Sequence, residues 1–203
     1  MNSTLERERL IAEVLAFVRT ALRLPGIKRL ALIGSLTTEK ADPKDADLLV
    51  TVTDDADLAP LAALGRKLQG HAQSMNKGGE VFLADPHHTY LGRICTWKTC
   101  APGVRMRCDA LHCGQRPYLH DDLKAVHLKR GLIAAPPLEL WPEVIARVPI
   151  PQDIEQSLIV PLRGCLKSQT NRLLKRLAQM YFEHFSNSLL DIPARPDRLA
   201  EGC

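Results

Sequence analysis

The chain has 203 residues, of which 45% are hydrophobic, 25% are charged and only 4% are aromatic. This composition is ordinary for a globular protein, and the scarce aromatic residues do not suggest a surface built for base stacking. No apolar run approaches the roughly 18 residues that a membrane span needs, and Glu6, Glu8 and Glu13 interrupt the segment where a signal peptide would be apolar. We therefore expect a cytoplasmic protein with reduced thiols and no membrane partner. The net charge of +4 permits nucleic acid as a partner without requiring it.

Two helices and five strands are predicted along the first 111 residues. Helices are recognised by apolar residues recurring every three or four positions, and strands by short apolar runs bounded by glycine, proline or aspartate. The predicted elements are a helix from Ser3 to about Pro25, strands over 28–33, 45–52 and 80–84, a helix from Asp57 to about Gly70, and strands over 90–97 and 105–111. Gly78-Gly79 is predicted to break the chain before the strand over 80–84. This order predicts an α/β (α+β) fold in which a small mixed sheet is flanked by helices.

The rest of the chain has a different character. Residues 131–153 are rich in proline, and we interpret them as an ordered connector after a domain spanning 1–130, with a flexible linker as the alternative. Residues 154–192 are predicted to form a helical segment that packs on the core, and 193–203 a tail. The basic residues of 163–176 favour RNA as a partner, because clustered lysine and arginine bind phosphates. The alternative is the solvated face of a core-packing helix.

The most informative motif links two predicted strands. Gly34 and Ser35 follow an apolar strand that ends at Ile33, and nine residues later Asp45 and Asp47 open the next strand. Alternate side chains of a strand point to the same face, so the two carboxylates can bind one cation together. The Gly-Ser turn leads into a helix start, whose free N–H groups favour a phosphate. These are the parts of a phosphoryl- or nucleotidyl-transfer site; the alternative is a surface loop with solvated acids.

This pattern resembles the signature of the DNA polymerase beta-like nucleotidyltransferase superfamily, in particular its minimal members. That signature is an apolar residue, Gly, Gly or Ser, about nine to thirteen residues, Asp, an apolar residue, Asp or Glu, and another apolar residue. The resemblance spans about residues 28–111 and implies a polymerase beta palm-like fold with a C-terminal helical extension. It also implies that Gly34 and Ser35 bind a nucleoside triphosphate such as ATP, and that Asp45 and Asp47 hold Mg²⁺ or Mn²⁺.

Members of this superfamily usually carry a third carboxylate on a neighbouring strand, and two residues are candidates for it. Glu80 opens the predicted strand over 80–84 at the sequence distance typical of the minimal members. Asp109 lies inside the predicted strand over 105–111, where an ionised acid is costly unless a cation or a base lies beside it. Both residues are therefore catalytic candidates.

Four of the six cysteines fall within nineteen residues, namely Cys95, Cys100, Cys108 and Cys113. In a reducing compartment such a cluster indicates metal binding or packing rather than disulfides. Four thiolates would complete the tetrahedral shell of a structural Zn²⁺ ion, although the spacing differs from the usual Cys-x₂-Cys pattern. Buried structural thiols are the alternative, since free cysteine is among the most buried residue types.

The predicted reaction is the metal-dependent transfer of a nucleoside monophosphate from a nucleoside triphosphate to a hydroxyl group. The acceptor is an RNA, a protein or a small molecule, because the residues that choose it lie outside the motif. Two alternatives use the same scaffold. One is a non-catalytic module, with or without a structural Zn²⁺ ion, that binds RNA or protein. The other is metal-dependent phosphohydrolysis at the same acids.

Overall fold

The computed structural model describes residues 3–100, 116–120 and 137–168. The chain divides into two compact units, Met1–Arg163 and Gly164–Cys203, whereas the sequence suggested boundaries at 130 and 153. The second unit is described over residues 164–168, which are helical. The predicted strand over 105–111 lies outside the described residues, as do the helical segment beyond residue 168 and the tail.

A mixed sheet of six strands, counted over the described residues, forms the centre of the first unit and confirms the predicted α/β (α+β) class. In chain order the strands are β1 (Ile27–Ile33), β2 (Asp45–Val52), β3 (Gly78–Ala84), β4 (Tyr90–Ile94), β5 (Leu119–His120) and β6 (Leu138–Trp141). Their spatial order is β5-β4-β3-β2-β1-β6. Strands β2 and β3 pair in parallel, and the other neighbours in this sheet are antiparallel. A parallel pair needs a crossover connection, and here a helix provides it.

Three helices accompany the sheet in the described part of the chain: α1 (Ser3–Ala21), α2 (Leu58–Gln73) and α3, which begins with Gln152–Ile154 and passes through a π-helical turn at Glu155–Ile159. The crossover helix α2 begins where the sequence predicted, because the Asp57 carboxylate accepts a hydrogen bond of 2.9 Å from the Ala59 N–H. Over the same described ranges, no helix is long and apolar enough to span a membrane.

Side-chain alternation divides the sheet into two faces. Ala46, Leu48 and Val50 of β2 are fully buried on the helical face. The α2 helix approaches this face closely, since a Cβ at Gly79 would lie 3.0 Å from Leu68 Cγ. On the opposite face β2 carries Asp45 and Asp47, which alternate with those apolar residues. Burial of the apolar set therefore fixes the register that turns both carboxylates to the other side.

Several element ends differ from the sequence prediction. The first helix ends at Ala21, before the proline at which we expected it to end, and β4 ends at Ile94 rather than Trp97. The pair Gly78-Gly79, expected to break the chain, forms the start of β3, because Gly78 donates a hydrogen bond of 2.8 Å to the Lys44 carbonyl. Within the predicted connector, residues 138–141 form β6 on the edge of β1.

Candidate functional site

The turn after β1 requires a glycine. Gly34 has φ of +80°, a conformation that costs a residue with a side chain about 1–2 kcal/mol. The Gly34 carbonyl accepts hydrogen bonds from both the Thr37 hydroxyl (2.8 Å) and the Thr37 N–H (3.2 Å), which closes the turn. The expected helix start is only a 3₁₀ turn, Ser35–Thr37, so it supplies little helix dipole. What remains for a phosphate is the half-buried Ser35 and the backbone of the turn, in which Gly34 is buried.

The carboxylates predicted to bind metal lie at the same end of the sheet as this turn. Asp47 lies opposite Ile33, the last residue of β1, in the antiparallel register. On its other side Asp47 lies beside Glu80 in the parallel register of β2 and β3, so the two side chains share a face. Asp45 pairs in the same way with Gly78. We call the surface formed by Asp45, Asp47 and Glu80 the carboxylate face.

Glycine at position 78 makes room for the first acid. A Cβ at Gly78 would overlap Asp45 Oδ1, so the Asp45 carboxylate leans over the start of β3. The Asp45 side chain is exposed, whereas Asp47 is only 8% exposed. The two acids of the motif therefore differ in solvation although they share a face.

Asp47 is a destabilised anion. Loss of water contacts on burial, followed by the charges of Asp45 and Glu80, raises the pKa of Asp47 from 3.8 to about 7. Within the described part of the chain, no hydrogen bond or ion pair reaches its carboxylate. A buried carboxylate beside two others is a position where a bound cation is strongly favoured, because the cation removes both causes of the shift.

Glu80 is held by a basic residue from the next strand. Arg93 of β4 donates a hydrogen bond of 2.7 Å from Nη1 to Glu80 Oε1. Arg93 pairs in register with Phe82 of β3 and with His120 of β5, so its side chain reaches Glu80 diagonally across the sheet. The ion pair fixes the direction of the Glu80 carboxylate relative to Asp47.

A buried cation, Arg7, holds the loop between Gly34 and Asp45 by hydrogen bonds to its backbone. Arg7 of α1 is 7% exposed and donates hydrogen bonds to the carbonyls of Leu36 (3.2 Å) and Lys40 (2.9 Å). Its guanidinium also forms a two-point ion pair with Asp153 at the start of α3, at 2.5 and 3.2 Å. This pair holds the pKa of Asp153 below its usual range. Arg7 thus connects two helices to the loop that separates the two halves of the motif.

A second cation anchors the far end of the same loop. Lys77, directly before β3, forms ion pairs with Asp42 of the loop and with Glu6 of α1, the latter at 3.5 Å. The hydrogen bond and charge of Asp42 raise the pKa of Lys77 above its ordinary value. Neither Arg7 nor Lys77 was recognised from the sequence, since both act on residues far away along the chain. The pairing of Glu6 with Lys77 has no local signal.

The described residues fit Mg²⁺ binding that is shared with water and substrate, and they do not form a complete protein cage for the ion. No group of three His, Cys, Asp or Glu residues within ranges 3–100, 116–120 and 137–168 lies close enough together to form a ready metal cage. Mg²⁺ is usually bound by one or two carboxylates together with water and substrate phosphates. The exposed carboxylate of Asp45 and the buried carboxylate of Asp47, with Glu80 beside them, match this open mode.

Several predicted site residues lie outside the described residues: Asp109, Cys108 and Cys113. Of the two candidates for the third acid, the structure therefore describes Glu80 and not Asp109. Of the cysteine cluster, Cys95 is buried and its N–H donates to the Tyr118 carbonyl (2.7 Å). Cys100 Sγ accepts a hydrogen bond from the Tyr118 N–H (3.2 Å). Both cysteines thus lie near one residue, and zinc binding stays a prediction.

The basic segment 163–176 is described only up to residue 168. Arg163 belongs to the first unit, is exposed, and pairs with Glu155 at 3.1 Å. Lys167 belongs to the second unit and is also exposed. Binding of RNA by this segment stays a prediction.

No family model matches the chain, and neither does any curated protein or solved structure. The nucleotidyltransferase assignment therefore depends on the motif and on the placement of its residues in the fold.

Proposed function

We propose that the protein is a metal-dependent nucleotidyltransferase that transfers a nucleoside monophosphate from a nucleoside triphosphate to a hydroxyl of an RNA, a protein or a small molecule. One observation carries the proposal. Three carboxylates, Asp45, Asp47 and Glu80, share a face at the sheet end where β1 passes into the Gly34 turn. Phosphoryl and nucleotidyl transfer depends on positioning and on charge stabilisation, which are the two things such a surface supplies.

Each residue has a definite task in this mechanism. Asp45 and Asp47 would hold Mg²⁺, which neutralises phosphate charge and lowers the pKa of an attacking hydroxyl when it is bound. The Gly34 backbone and the Ser35 side chain face the phosphates, where a side chain at position 34 would force the backbone away. Glu80, aligned by Arg93, accepts the proton that the acceptor hydroxyl loses.

The reaction balances without any further reagent. A bond forms between the acceptor oxygen and the α-phosphorus, and the bond from the α-phosphorus to the oxygen bridging the β-phosphate breaks. Pyrophosphate leaves with that electron pair. The acceptor proton passes to the Glu80 carboxylate and then to solvent. Phosphohydrolysis would use the same acids with water in place of the acceptor hydroxyl, so the products distinguish the two reactions.

The test is label transfer from each α-³²P-nucleoside triphosphate in the presence of Mg²⁺, with RNA, protein or a metabolite extract as acceptor. Label that enters one acceptor fraction, and that is lost in Asp45→Asn and Asp47→Asn, supports the proposal and identifies the acceptor class. Asp54→Asn, which removes an exposed carboxylate away from the face, is the matched control and should keep full activity.

Two other outcomes would replace the proposal. Release of labelled nucleotide with no labelled acceptor would indicate phosphohydrolysis. Binding of RNA that needs neither Mg²⁺ nor Asp45 and Asp47, without any transfer, would indicate the non-catalytic binding module.

A further inference from the structure

A cavity of about 180 Å³ lies between α2 and the adjoining parts of β3 and β4. Its lining includes Gln69 of α2, Glu80 and Arg93 of the ion pair described above, and Trp97 from the segment that follows β4. We call it the β3–β4 cavity. Glu80 belongs both to the lining of this cavity and to the carboxylate face. It therefore connects the cavity to the candidate reaction centre, although α2 packs on the opposite face of the sheet.

The size of the cavity limits what can enter it. Pockets for drug-sized ligands begin at about 300 Å³, and this one is smaller. It therefore suits a single ring system and not a whole nucleotide. The ribose and phosphates of a bound nucleotide would lie outside it.

The lining of the cavity includes a tryptophan whose side chain is exposed and whose backbone is held in place. Trp97 is 51% exposed, in a chain that has only two tryptophans. Arg66 of α2 donates hydrogen bonds from Nη1 to the carbonyls of Thr96 (3.1 Å) and Trp97 (2.6 Å), which fixes the backbone on either side of the ring. An exposed indole on a fixed backbone offers a flat apolar surface, and it has only two side-chain torsions to order on binding.

A polar side chain on another element lines the same space. The amide of Gln69 makes no hydrogen bond to any residue in the described part of the chain. A primary amide offers a donor and an acceptor side by side, which matches the donor and acceptor pattern on the edge of a nucleobase. A flat ring wall and an available amide together describe a site for a planar heterocycle with a hydrogen-bonding edge.

We propose that the β3–β4 cavity binds a nucleobase, which stacks on Trp97 and is recognised at its edge by Gln69. The proposal rests on the function proposed above and deepens it, because the base belongs either to the donor nucleoside triphosphate or to the end of an RNA acceptor. The composition argued against an extensive base-stacking surface, but a single exposed tryptophan is sufficient for one base. Stacking of a base on an aromatic side chain is tolerant of sequence, so Gln69 supplies the preference among bases.

The test measures binding without catalysis. A Trp141→Phe variant leaves Trp97 as the single tryptophan, so its fluorescence reports the cavity alone. This variant is titrated without Mg²⁺ with the four nucleosides, the four nucleoside triphosphates and short RNA oligonucleotides. Saturable quenching by at least one nucleoside is the expected result. Quenching by the triphosphate but not by RNA identifies the donor base, and tighter quenching by RNA identifies the base of the acceptor.

Variants then test the two named residues by calorimetry. Trp97→Ala should weaken nucleoside binding by about 5- to 150-fold, the range measured for stacking on aromatic residues, while Trp97→Tyr should retain most of the affinity. Gln69→Leu should reduce the preference between bases. Trp141→Phe, outside the cavity, is the control and should bind as the wild type does.

The outcomes separate this proposal from the proposed function. Absence of saturable quenching by every nucleoside, triphosphate and RNA would overturn it, as would equal affinity in Trp97→Ala and the wild type. Loss of transfer in Asp47→Asn with unchanged nucleoside binding would support both. Nucleoside binding that depends on Trp97, in a protein that transfers no label, would leave the cavity assignment standing while the transferase assignment fails.

Discussion

Replacing Asp47 by asparagine should stabilise the metal-free protein at alkaline pH, although most substitutions of buried residues destabilise. The pKa of this carboxyl is about 7 in the folded protein and 3.8 ordinarily, so the folded state holds the proton more tightly. Between these two values the folded state binds more protons than the unfolded state. The free energy of unfolding therefore falls as the pH rises from 3.8 to about 7.

The magnitude follows from the shift. Each pKa unit corresponds to about 1.4 kcal/mol, so ionised Asp47 lowers the free energy of unfolding by about 4 kcal/mol at pH 8. At pH 4.5 the same relation gives about 1 kcal/mol. An asparagine at this position carries no charge but leaves a buried amide, which costs about 1–3 kcal/mol at either pH. Because the cost of the buried amide is the same at both pH values, it cancels when the stability at pH 4.5 is subtracted from that at pH 8. Asp47→Asn should therefore gain about 3 kcal/mol relative to wild type between pH 4.5 and pH 8.

Thermal unfolding at the two pH values measures this difference. For a chain of this size, about 3 kcal/mol corresponds to a relative change in Tm of about 6–12 °C. A further arm adds Mg²⁺ at pH 8: at 100 times its Kd it should stabilise the wild type by about 2.7 kcal/mol and Asp47→Asn far less. Asp54→Asn is the control, because it removes an exposed carboxylate. If Asp47→Asn and wild type changed in parallel between pH 4.5 and pH 8, the burial argument would be refuted.

Three further substitutions test how the motif is held in place. Arg7→Met removes the cation from the ion pair with Asp153 and should lower the free energy of unfolding by about 3–5 kcal/mol, measured by urea denaturation. Gly34→Ala forces a side chain into the conformation at φ of +80°, and should cost about 1–2 kcal/mol and most of the transfer activity. Gly78→Ala displaces the carboxylate of Asp45, and should lower kcat by about 100-fold with little change in Tm.

Matched controls exist for these variants. Arg163→Met breaks an exposed ion pair and should change stability by less than about 1 kcal/mol. Gly70→Ala adds a methyl group with no heavy atom within 4 Å, so activity should be unchanged. An Arg7→Met protein as stable as Arg163→Met would contradict the role given to the buried ion pair. Full activity in Gly78→Ala would show that the position of Asp45 is not critical.

The parts of the fold that the sequence predicted are those with a local signal. The strand over 45–52 was predicted with the bounds that the structure gives it, because an apolar run follows its two acids. The start of α2 was predicted because Asp57 is a good capping residue. The prediction that Gly78-Gly79 breaks the chain was wrong; it was made because two glycines weaken an isolated strand. In the folded protein the parallel neighbour β2 stabilises them, and the space above Gly78 is needed for Asp45.

Elements set by distant partners could not be predicted in this way. The strand β6 lies in a segment rich in proline and forms because β1 offers it an edge to pair with. Its buried residue Glu139 is paired with Arg29, 110 residues earlier in the chain, and with Arg147 at 3.3 Å. The same limitation applies to the site: the motif was visible in the sequence, but the positions of Glu80 beside Asp47 and of Arg7 beneath the loop depend on the tertiary fold.

A buried arginine and a buried aspartate, both of which cost folding free energy, lie at one end of the sheet. Their presence is the strongest argument against a surface loop whose acids are only solvated. Burying a guanidinium costs several kcal/mol before its partners compensate, and here Arg7 is buried where it binds two carbonyls of the loop between Gly34 and Asp45. The burial of Asp47 among like charges costs about 4 kcal/mol at pH 8. A solvated loop needs neither a fixed backbone nor a buried acid. A site that must hold a cation and a phosphate in fixed positions needs both, and the cation returns the stability that Asp47 alone removes.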